Sequence, residues 1–345
     1  MDEMIRQEIY KEADRCPVQS IPWENIRDRI FDNTSFNTSF QKKAVIGKIC
    51  CSFAAVVAIG CLLVMSGFIF PVIARALERI PVINAVFNFV EDRGIQNAMD
   101  KGFVTKPNLT ATDKDISVTI TGVLYDEGRI DIGYTVTTSR PDLSPETFPG
   151  DLIIPLGAPG MPGMEFFANG KPIQNTTQAT CEKADNGRVG LVEIYPSDDL
   201  PEAFNLEVAI YQIGKEQGEW LLGPIPVSRK DTDAATRTFS PMKKETFGET
   251  SVMVKEVKIS PLSMLIEYES IRPLTEEFYF SAVMDDKGNN IPQCASIRLS
   301  HQIKGDTKIT VARLVCEAPK NIPEFLVLVP HTAGSQQQNI KIPLK

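Results

Sequence analysis

The sequence ICCSFAAVVAIGCLLVMSGFIF, residues 49–70, separates a short N-terminal part of this chain from a long C-terminal part. It contains no charged residue and no proline. As a helix it would be roughly 33 Å long, whereas the hydrocarbon core of a bilayer is about 30 Å thick. Because a helix satisfies its own backbone hydrogen bonds in lipid, this stretch predicts a transmembrane helix, which we place at residues 44–70.

Two other interpretations of the apolar stretch are a buried core helix and a cleavable signal peptide. A core helix is usually shorter than a membrane span. Residues 74–76, Ala-Arg-Ala, resemble a signal-peptide cleavage site. Signal peptides, however, have a shorter apolar region close to the N-terminus, whereas the whole of residues 1–48 comes before this one. The sequence therefore favours an uncleaved anchor.

Basic side chains are more frequent just before the predicted span than just after it. Three lysines precede the apolar stretch of residues 49–70, and two arginines with a glutamate between them follow it: Lys42, Lys43, Lys48, Arg75 and Arg79. Cytoplasmic flanks of membrane helices carry an excess of Lys and Arg. We therefore expect a single-pass protein of the cell membrane, with residues 1–48 in the cytosol and residues 71–345 outside.

Charge and cysteine content limit the classes of protein that the exported part can belong to. The chain has 36 basic and 44 acidic side chains, and residues 1–48 contain eight of each, so the net charge of −8 lies in the rest. This acidic balance argues against nucleic-acid binding by the large part. Three cysteines follow the span, and an odd count allows at most one internal disulfide, which argues against a disulfide scaffold: Cys181, Cys294 and Cys316.

Residues 1–43 predict two short amphipathic helices. Apolar side chains recur at helical spacing, two in the first helix and three in the second: Ile5, Ile9, Trp23, Ile26 and Ile30. Helices this small bury too little surface to form an independent domain. We therefore predict that these five side chains bind a groove on a cytosolic partner. A membrane-surface helix or a weakly helical tail is the alternative.

Residues 71–102 predict a helical link between the span and the first β domain. Apolar residues at 82, 86, 89 and 90 would form one helical face that ends at Gly94 as a C-cap, and a short helix from Gly94 to Lys101 would follow. We expect the link to lie on the membrane or to pack beneath the next domain. A mechanical connection and a simple stalk are equally compatible with this pattern.

The residues after the link predict strands arranged as a tandem repeat. Residues 116–134, ISVTITGVLYDEGRIDIGY, and residues 250–268, TSVMVKEVKISPLSMLIEY, align without a gap and so at a constant offset. Both show the alternation that is typical of a β-hairpin. We therefore predict a mainly β fold with two tandem immunoglobulin-like β-sandwich domains, residues 103–230 and 238–345, joined by a polar linker at residues 229–237.

Several motifs between the span and the first strands resemble a known family. They are Pro71 after the span, IP-[IV]-I-x-x-V-F at 80–87, E-D-x-G-[IL] at 91–95, K-G-[FL]-V-T at 101–105 and A-T-D…I-[ST]-V-T-I-T at 111–121. The chain here resembles Gram-positive single-pass membrane proteins of a domain-of-unknown-function family, often encoded beside extracytoplasmic-function sigma factors. Some members carry a C-terminal immunoglobulin-like domain. The resemblance implies a membrane-bound negative regulator of a sigma factor and supplies no catalytic residues.

The sequence contains no recognisable catalytic, cofactor or metal motif. Hydrolase, P-loop and zinc-protease signatures do not occur in it. No histidine precedes His301, so a zinc-type helical anti-sigma module is excluded. The acidic residues near predicted turns, Asp126 among them, are expected to be solvated rather than to bind metal. We therefore expect no enzyme, no cofactor and no bound metal.

One disulfide is predicted from hairpin geometry. Cys294 and Cys316 lie equally far along the chain from Gly305, one on each side of this residue, which belongs to a predicted turn. A symmetric hairpin would place the two cysteines opposite each other and within bonding distance. A shift of one residue in the register would separate them.

Two functions are compatible with these patterns. In the first, the chain is an anti-sigma factor or envelope-stress regulator that binds an extracytoplasmic-function sigma factor and senses an extracellular ligand or the cell wall. Release would require a conformational change in the link or proteolysis near the span. In the alternative, it is a membrane-anchored cell-surface structural or binding protein with no transcriptional role.

Overall fold

The computed structural model describes residues 87, 91–143, 154, 163–184, 187–332 and 338–344. The predicted cytosolic helices, the predicted span and most of the link lie outside these residues. The same holds for the five side chains predicted to bind a partner: Ile5, Ile9, Trp23, Ile26 and Ile30. Within the described ranges, no helix is long and apolar enough to cross a membrane.

Most described elements are strands, which confirms the predicted mainly β fold. Helix α1 (Arg93–Asp100) comes first and helix α2 (Lys230–Ala235) lies midway along the chain. Nine strands lie between the helices: β1 (Leu109–Asp113), β2 (Ile116–Tyr125), β3 (Ile130–Thr138), β4 (Met164–Ala168), β5 (Lys171–Pro172), β6 (Asn175–Ala184), β7 (Gly187–Pro196), β8 (Ala203–Ile213) and β9 (Glu216–Ser228). Nine more follow α2: β10 (Arg237–Phe239), β11 (Lys243–Phe247), β12 (Thr250–Ile259), β13 (Ser263–Pro273), β14 (Phe278–Met284), β15 (Gln293–Lys304), β16 (Thr307–Glu317), β17 (Phe325–Thr332) and β18 (Ile340–Pro343).

Strands β1 to β9 form two antiparallel sheets around one hydrophobic core, and we call them the first β unit. The sheet orders are β1-β2-β3-β7-β6 and β5-β4-β8-β9. Alternate residues of β3, such as Ile132, pack against Phe166 of β4 and Trp220 of β9 in that core. The buried indole of Trp220 also donates a hydrogen bond of 2.8 Å to the carbonyl of Ile116, which joins the two sheets.

Strands β10 to β18 form the second β unit, with its own core between two sheets. One sheet has the order β12-β13-β16-β15, with β10 and β11 both paired to the outer side of β12. The other has the order β14-β17-β18. Val252, Ile266 and Leu328 are completely buried in the core between them. All strands of the two units correspond in order and pairing except β5 and β10. The counterpart of each is a single bridge, between Met284 and Asn290 for β5 and between Thr105 and Val123 for β10.

The repeat extends to irregularities of the backbone. Strands β2 and β12 begin and end at equivalent positions of the two aligned sequences. The pairing of β2 with β3 shifts register between Ile120 and Gly122, and that of β12 with β13 shifts between Val254 and Glu256, again at equivalent positions. Bulges twist a strand locally, so both hairpins bend at the same place.

Helix α1 confirms the short helix predicted at the end of the link, but the role of Gly94 differs from the predicted one. Gly94 was expected to end a preceding helix, whereas it is the second residue of α1, and Asp92 is the N-cap. A Cβ at Gly94 would lie 1.8 Å from the carbonyl oxygen of Leu262 in the second unit. The glycine is therefore required by the close approach of the second β unit, a contact that local sequence does not reveal.

The predicted pairing of Cys294 with Cys316 depended on a register that the structure does not have. Strand β16 places Cys316 opposite Gln293, because bulges shift the register between Gln293 and Ala295 and again farther along β15. Cys316 belongs to the second core, whereas Cys294 packs at the margin of a different apolar cluster. Both thiols are free in the structure.

We expect the three cysteines of the described residues to be alkylated at different rates in the native protein. Burial raises the pKa of the Cys294 thiol to about 12 and the pKa of Cys316 well above its usual value, so little reactive thiolate forms at either position. Cys181 is partly exposed and should react first. Peptide mass spectrometry of the iodoacetamide-treated chain, with and without prior reduction, measures both the order of reaction and any bond. Equal rates, or a Cys294–Cys316 peptide that appears only without reduction, would contradict this expectation.

Candidate functional site

The most unusual group of side chains in the described residues is a buried charged cluster between the two β units. Alternation along β3 directs Ile130, Ile132 and Tyr134 into the first core and Asp131 to the opposite face of the sheet. On the neighbouring strand β7, Glu193 is paired with Asp131 and lies on that same outer face. This outer face is covered by the second unit, so charges that strand alternation would place in water are buried.

Arg129 is the centre of the cluster and has no exposed side-chain surface. Its guanidinium donates two hydrogen bonds to the carboxylate of Asp92, at 2.7 and 3.0 Å. It donates a third to Glu193, at 3.1 Å, and a fourth to the carbonyl of Leu262 in the second unit, at 2.9 Å. The two-pronged arrangement with Asp92 is the strongest geometry for an arginine–carboxylate pair. We call Asp92, Arg129, Asp131 and Glu193 the Arg129 cluster.

Asp131 is the least satisfied member of the Arg129 cluster. One of its oxygens lies 3.4 Å from Nε of Arg129, yet neither oxygen accepts a hydrogen bond from any described residue. Burial raises the pKa of Asp131 well above its ordinary value, against the attraction of Arg129 and with help from Glu193 and Asp92. Burial alone would lower the pKa of Arg129, but Asp131 and Asp92 outweigh it. Burial without a hydrogen-bond partner therefore disfavours the charged form of Asp131.

A second polar contact joins the turns of the two repeated hairpins. In each turn the first residue caps its own backbone: Asp126 accepts from the amides of Gly128 and Arg129, and Ser260 accepts from the amides of Leu262 and Ser263. The hydroxyls of Ser260 and Ser263 both donate to the other oxygen of the Asp126 carboxylate, at 2.5 and 2.6 Å. Asp126 and Ser260 occupy equivalent positions of the repeat, and they pair as acceptor and donor.

Helix α1 is held at the same interface by the same residues. The Asp92 carboxylate that pairs with Arg129 also caps the helix by accepting a 3.0 Å hydrogen bond from the amide of Ile95. Ile95 and Phe87 are completely buried with Leu124 and Leu191 of the first unit and Leu262 of the second. The end of the link therefore contacts both β units, and Asp92 connects it to Arg129.

Apolar residues seal the far side of the Arg129 cluster. Tyr195 of β7 packs with Leu265, Ile297 and Val315 of the second unit. Leu265 occupies the repeat position equivalent to Asp131, so the same outward position is charged in one unit and apolar in the other. The Tyr195 hydroxyl donates a 2.8 Å hydrogen bond to Glu193, which fixes the carboxylate that faces Arg129.

The chemistry available at this interface is ion pairing and hydrogen bonding. In the part of the chain that the structure describes, no three His, Cys, Asp or Glu side chains are arranged to hold a metal. A crevice of about 240 Å³ beside the turns is lined by Tyr125, Glu127, Arg229 and Lys258, among others, and is bridged by a 2.7 Å ion pair between Lys258 and Glu127. A larger groove of about 590 Å³ lies elsewhere on the first unit, and Asp231 is the one ionisable side chain in its lining.

The sequence analysis did not identify the members of this interface. Asp126 was expected to be solvated, but it is 2% exposed. Arg129, Asp131 and Glu193 follow the polar phase of strand alternation and therefore resemble an ordinary solvent face. One signal was available: Met264, Leu265 and Ile266 are three consecutive apolar residues, which predicts a strand buried on both faces.

Comparisons with known proteins agree with part of the predicted family resemblance. A family model described as "Domain of unknown function (DUF4179)" matches residues 41–138, which run from the predicted span to the end of β3. No curated protein matches the chain. Among solved structures, the chain is similar to the crystal structure of the conserved domain protein from Bacillus anthracis. That similarity has a TM-score of 0.51 and 16% identity, covers 71% of this chain and 93% of that chain, and concerns the fold alone.

We expect Arg129→Met to lower the free energy of unfolding by about 3–5 kcal/mol, because it leaves buried carboxylates without their partner. Arg298→Met, at an exposed position of β15, is the control and should change stability little. Urea denaturation followed by far-UV circular dichroism measures both. Equal effects of the two substitutions would show that the Arg129 cluster contributes no stability.

We expect Asp131→Asn to reduce the dependence of stability on pH. Because the pKa of Asp131 is higher in the folded state than the ordinary value of about 4 in the unfolded chain, the contribution of this residue to stability falls as pH rises toward the raised pKa. The stability of the asparagine variant should not decrease in this way, so this variant should be more stable than the native chain at neutral and alkaline pH. Urea midpoints over a pH series test this, with Asp306→Asn in the exposed β15–β16 turn as control. A steeper fall in the Asp131 variant would contradict it.

Proposed function

We propose that this chain is a single-pass membrane anti-sigma factor or envelope-stress regulator. In this proposal residues 1–43 bind an extracytoplasmic-function sigma factor in the cytosol, residues 44–70 span the membrane, and the β units lie outside and sense a ligand or the cell wall. We also propose that the β units are tandem immunoglobulin-like domains, residues 103–230 and 238–345. The equivalent strand orders and the paired sheets around each core support that assignment.

The observation that carries the proposal is that Asp92 takes part in two contacts at once. This residue follows the predicted span closely in the sequence, and its one carboxylate both caps α1 and pairs with Arg129. Arg129 in turn contacts the second unit through Leu262. A change in how the two β units meet would therefore disturb the cap of α1, the helix at the end of the predicted link.

Signalling through such an interface requires two arrangements that a signal can favour differently. A buried ion pair suits this requirement because separating its members is costly, so intermediate arrangements are disfavoured. In one arrangement Arg129 holds Asp92 and α1 against both units. In the other that contact is broken, and the link between the span and β1 is released from the interface.

The cytosolic half of the proposal is tested by purifying the full chain, with an affinity tag at its C-terminus, from membranes of its source bacterium. Mass spectrometry should identify an extracytoplasmic-function sigma factor in the native sample, and its recovery should fall at least about tenfold in Ile26→Asp/Ile30→Asp. Asn25→Asp, which adds a carboxylate to the opposite side of the predicted helix, is the matched control. Absence of any sigma factor from the native sample would favour a cell-surface binding protein instead.

The coupling half of the proposal is tested by Gly94→Ala, because the added Cβ would force α1 away from Leu262. We expect transcription from the sigma-dependent promoter to change in cells that carry this variant, with the chain still present in the membrane at its native level. Asp100→Ala, at an exposed position of the same helix, is the control. Unchanged transcription with sigma factor still bound would leave the anti-sigma role intact and reject coupling through α1.

A further inference from the structure

Exposed sheet edges can pair with strands of other molecules, and most described edges here carry features that prevent such pairing. Strands β1, β5, β10, β11 and β18 are all short. Strand β9 contains Pro224 and Pro226, which lack backbone donors. Strand β14 is bulged between Phe280 and Ala282. These features leave little regular backbone for a partner strand.

Strand β6 is the exception among the described edges. It is ten residues long and pairs with β7 over its whole length without a register shift. Residues 175–182, which we call the β6 edge, are all exposed or half-buried. They contain no proline, and Glu182 is their one charged side chain. No described strand pairs with this edge, so every second residue directs its N–H and C=O away from β7.

The counterpart of β6 in the second unit, β15, provides an internal comparison. Both are the outermost strands of their sheets, beside the equivalent strands β7 and β16. Strand β15 is bulged twice and carries Arg298, His301 and Lys304 along its exposed part. One repeat therefore has an edge protected against strand addition, and the other has a flat, nearly uncharged edge of similar length.

We propose that the β6 edge pairs antiparallel with the β6 edge of a second copy of this chain. The pairing would join two five-stranded sheets into one continuous sheet across a two-fold axis, the usual symmetry of dimers. It concerns assembly outside the membrane and does not depend on the signalling proposal.

The distribution of side chains along β6 favours a second copy in the antiparallel sense. Residues 175–181 are uncharged, and Glu182 lies at one end. In an antiparallel pair centred on the uncharged residues, the two Glu182 side chains lie far apart at opposite ends. A parallel pair would bring them together, which is destabilising. The Gln178 side chain donates a 2.7 Å hydrogen bond to the carbonyl of Cys294, so it points toward the second unit.

The test uses the full chain in detergent micelles over a wide range of protein concentration. Sedimentation equilibrium gives the protein mass, and hydrogen–deuterium exchange reports on the amides of residues 175–182. We expect a monomer–dimer equilibrium in which these amides become protected as the dimer forms. Amides in the exposed part of β15 should exchange at the same rate in both states.

The variant Thr176→Lys/Thr180→Lys places four added positive charges across the proposed dimer contact, at positions that are exposed in the monomer. Dimerisation should weaken at least about tenfold, because like charges on adjoining strands repel. Ser300→Lys/Gln302→Lys on β15 adds the same charges elsewhere and should dimerise as the native chain does. Thermal unfolding of each variant verifies that it folds, and the single variant Thr180→Lys replaces the double one if it does not.

Three results would overturn the proposal. One is a protein mass that corresponds to a monomer at every concentration, and this result would overturn the proposal even if another protein paired with the β6 edge. Another is a dimer in which the amides of residues 175–182 exchange as in the monomer. The third is a dimer that is unaffected by the β6 lysines, which would place the contact elsewhere, for example in the predicted span.

Discussion

The arginine at position 129 is buried without any exposed side-chain surface, and the arrangement of the described chain depends on satisfying its charge. An unpaired buried ion costs several kcal/mol, so its partners must all be present in the folded state. Asp92 comes from the link, Glu193 from β7 and the Leu262 carbonyl from the second unit. Three segments that are distant in sequence are therefore held together by one side chain, and apolar clusters on both sides exclude water from it.

The two β units repeat the same hairpin but differ where they meet. Equivalent turn positions hold Asp126 and Ser260, an acceptor and a donor, and the next equivalent pairs are Arg129 with Ser263 and Asp131 with Leu265. Two identical copies would bring Asp126 against a second aspartate and bury like charges together, which is unfavourable. Divergence of the repeat has thus produced complementary surfaces on a common backbone. The same divergence distinguishes the flat edge of β6 from the bulged edge of β15.

The interface also determines which part of the molecule can move most easily. The strands of each unit are held by long ladders and closed cores, whereas the contact between units consists of a few buried polar groups and two small apolar clusters. One of those polar groups, Asp131, has no hydrogen-bond partner among the described residues. Local stability within a protein varies with such differences in contact density. A response that moves one β unit relative to the other would cost less than one that alters either core, and α1 lies at that contact.

Periodic and local signals in the sequence were sufficient to predict the class of fold, the two-fold repeat and the presence of the short helix after the link. Strand alternation, turn residues and the constant offset between the two hairpin sequences can all be read without knowledge of the tertiary structure. The equivalent bulges of the two hairpins were found only in the structure. The packing of one unit on the other, by contrast, determines which polar face is buried and why Gly94 is a glycine. A strand with Arg129 and Asp131 on one side has the pattern of a solvent face, and nothing in its periodicity records that a second unit covers it. Bulges in β15 likewise alter a register that residue counting treats as regular, which leaves Cys294 in a bulge and places Gln293 opposite Cys316. Periodicity depends on each strand alone, whereas burial of the outer face depends on how the two units pack against each other.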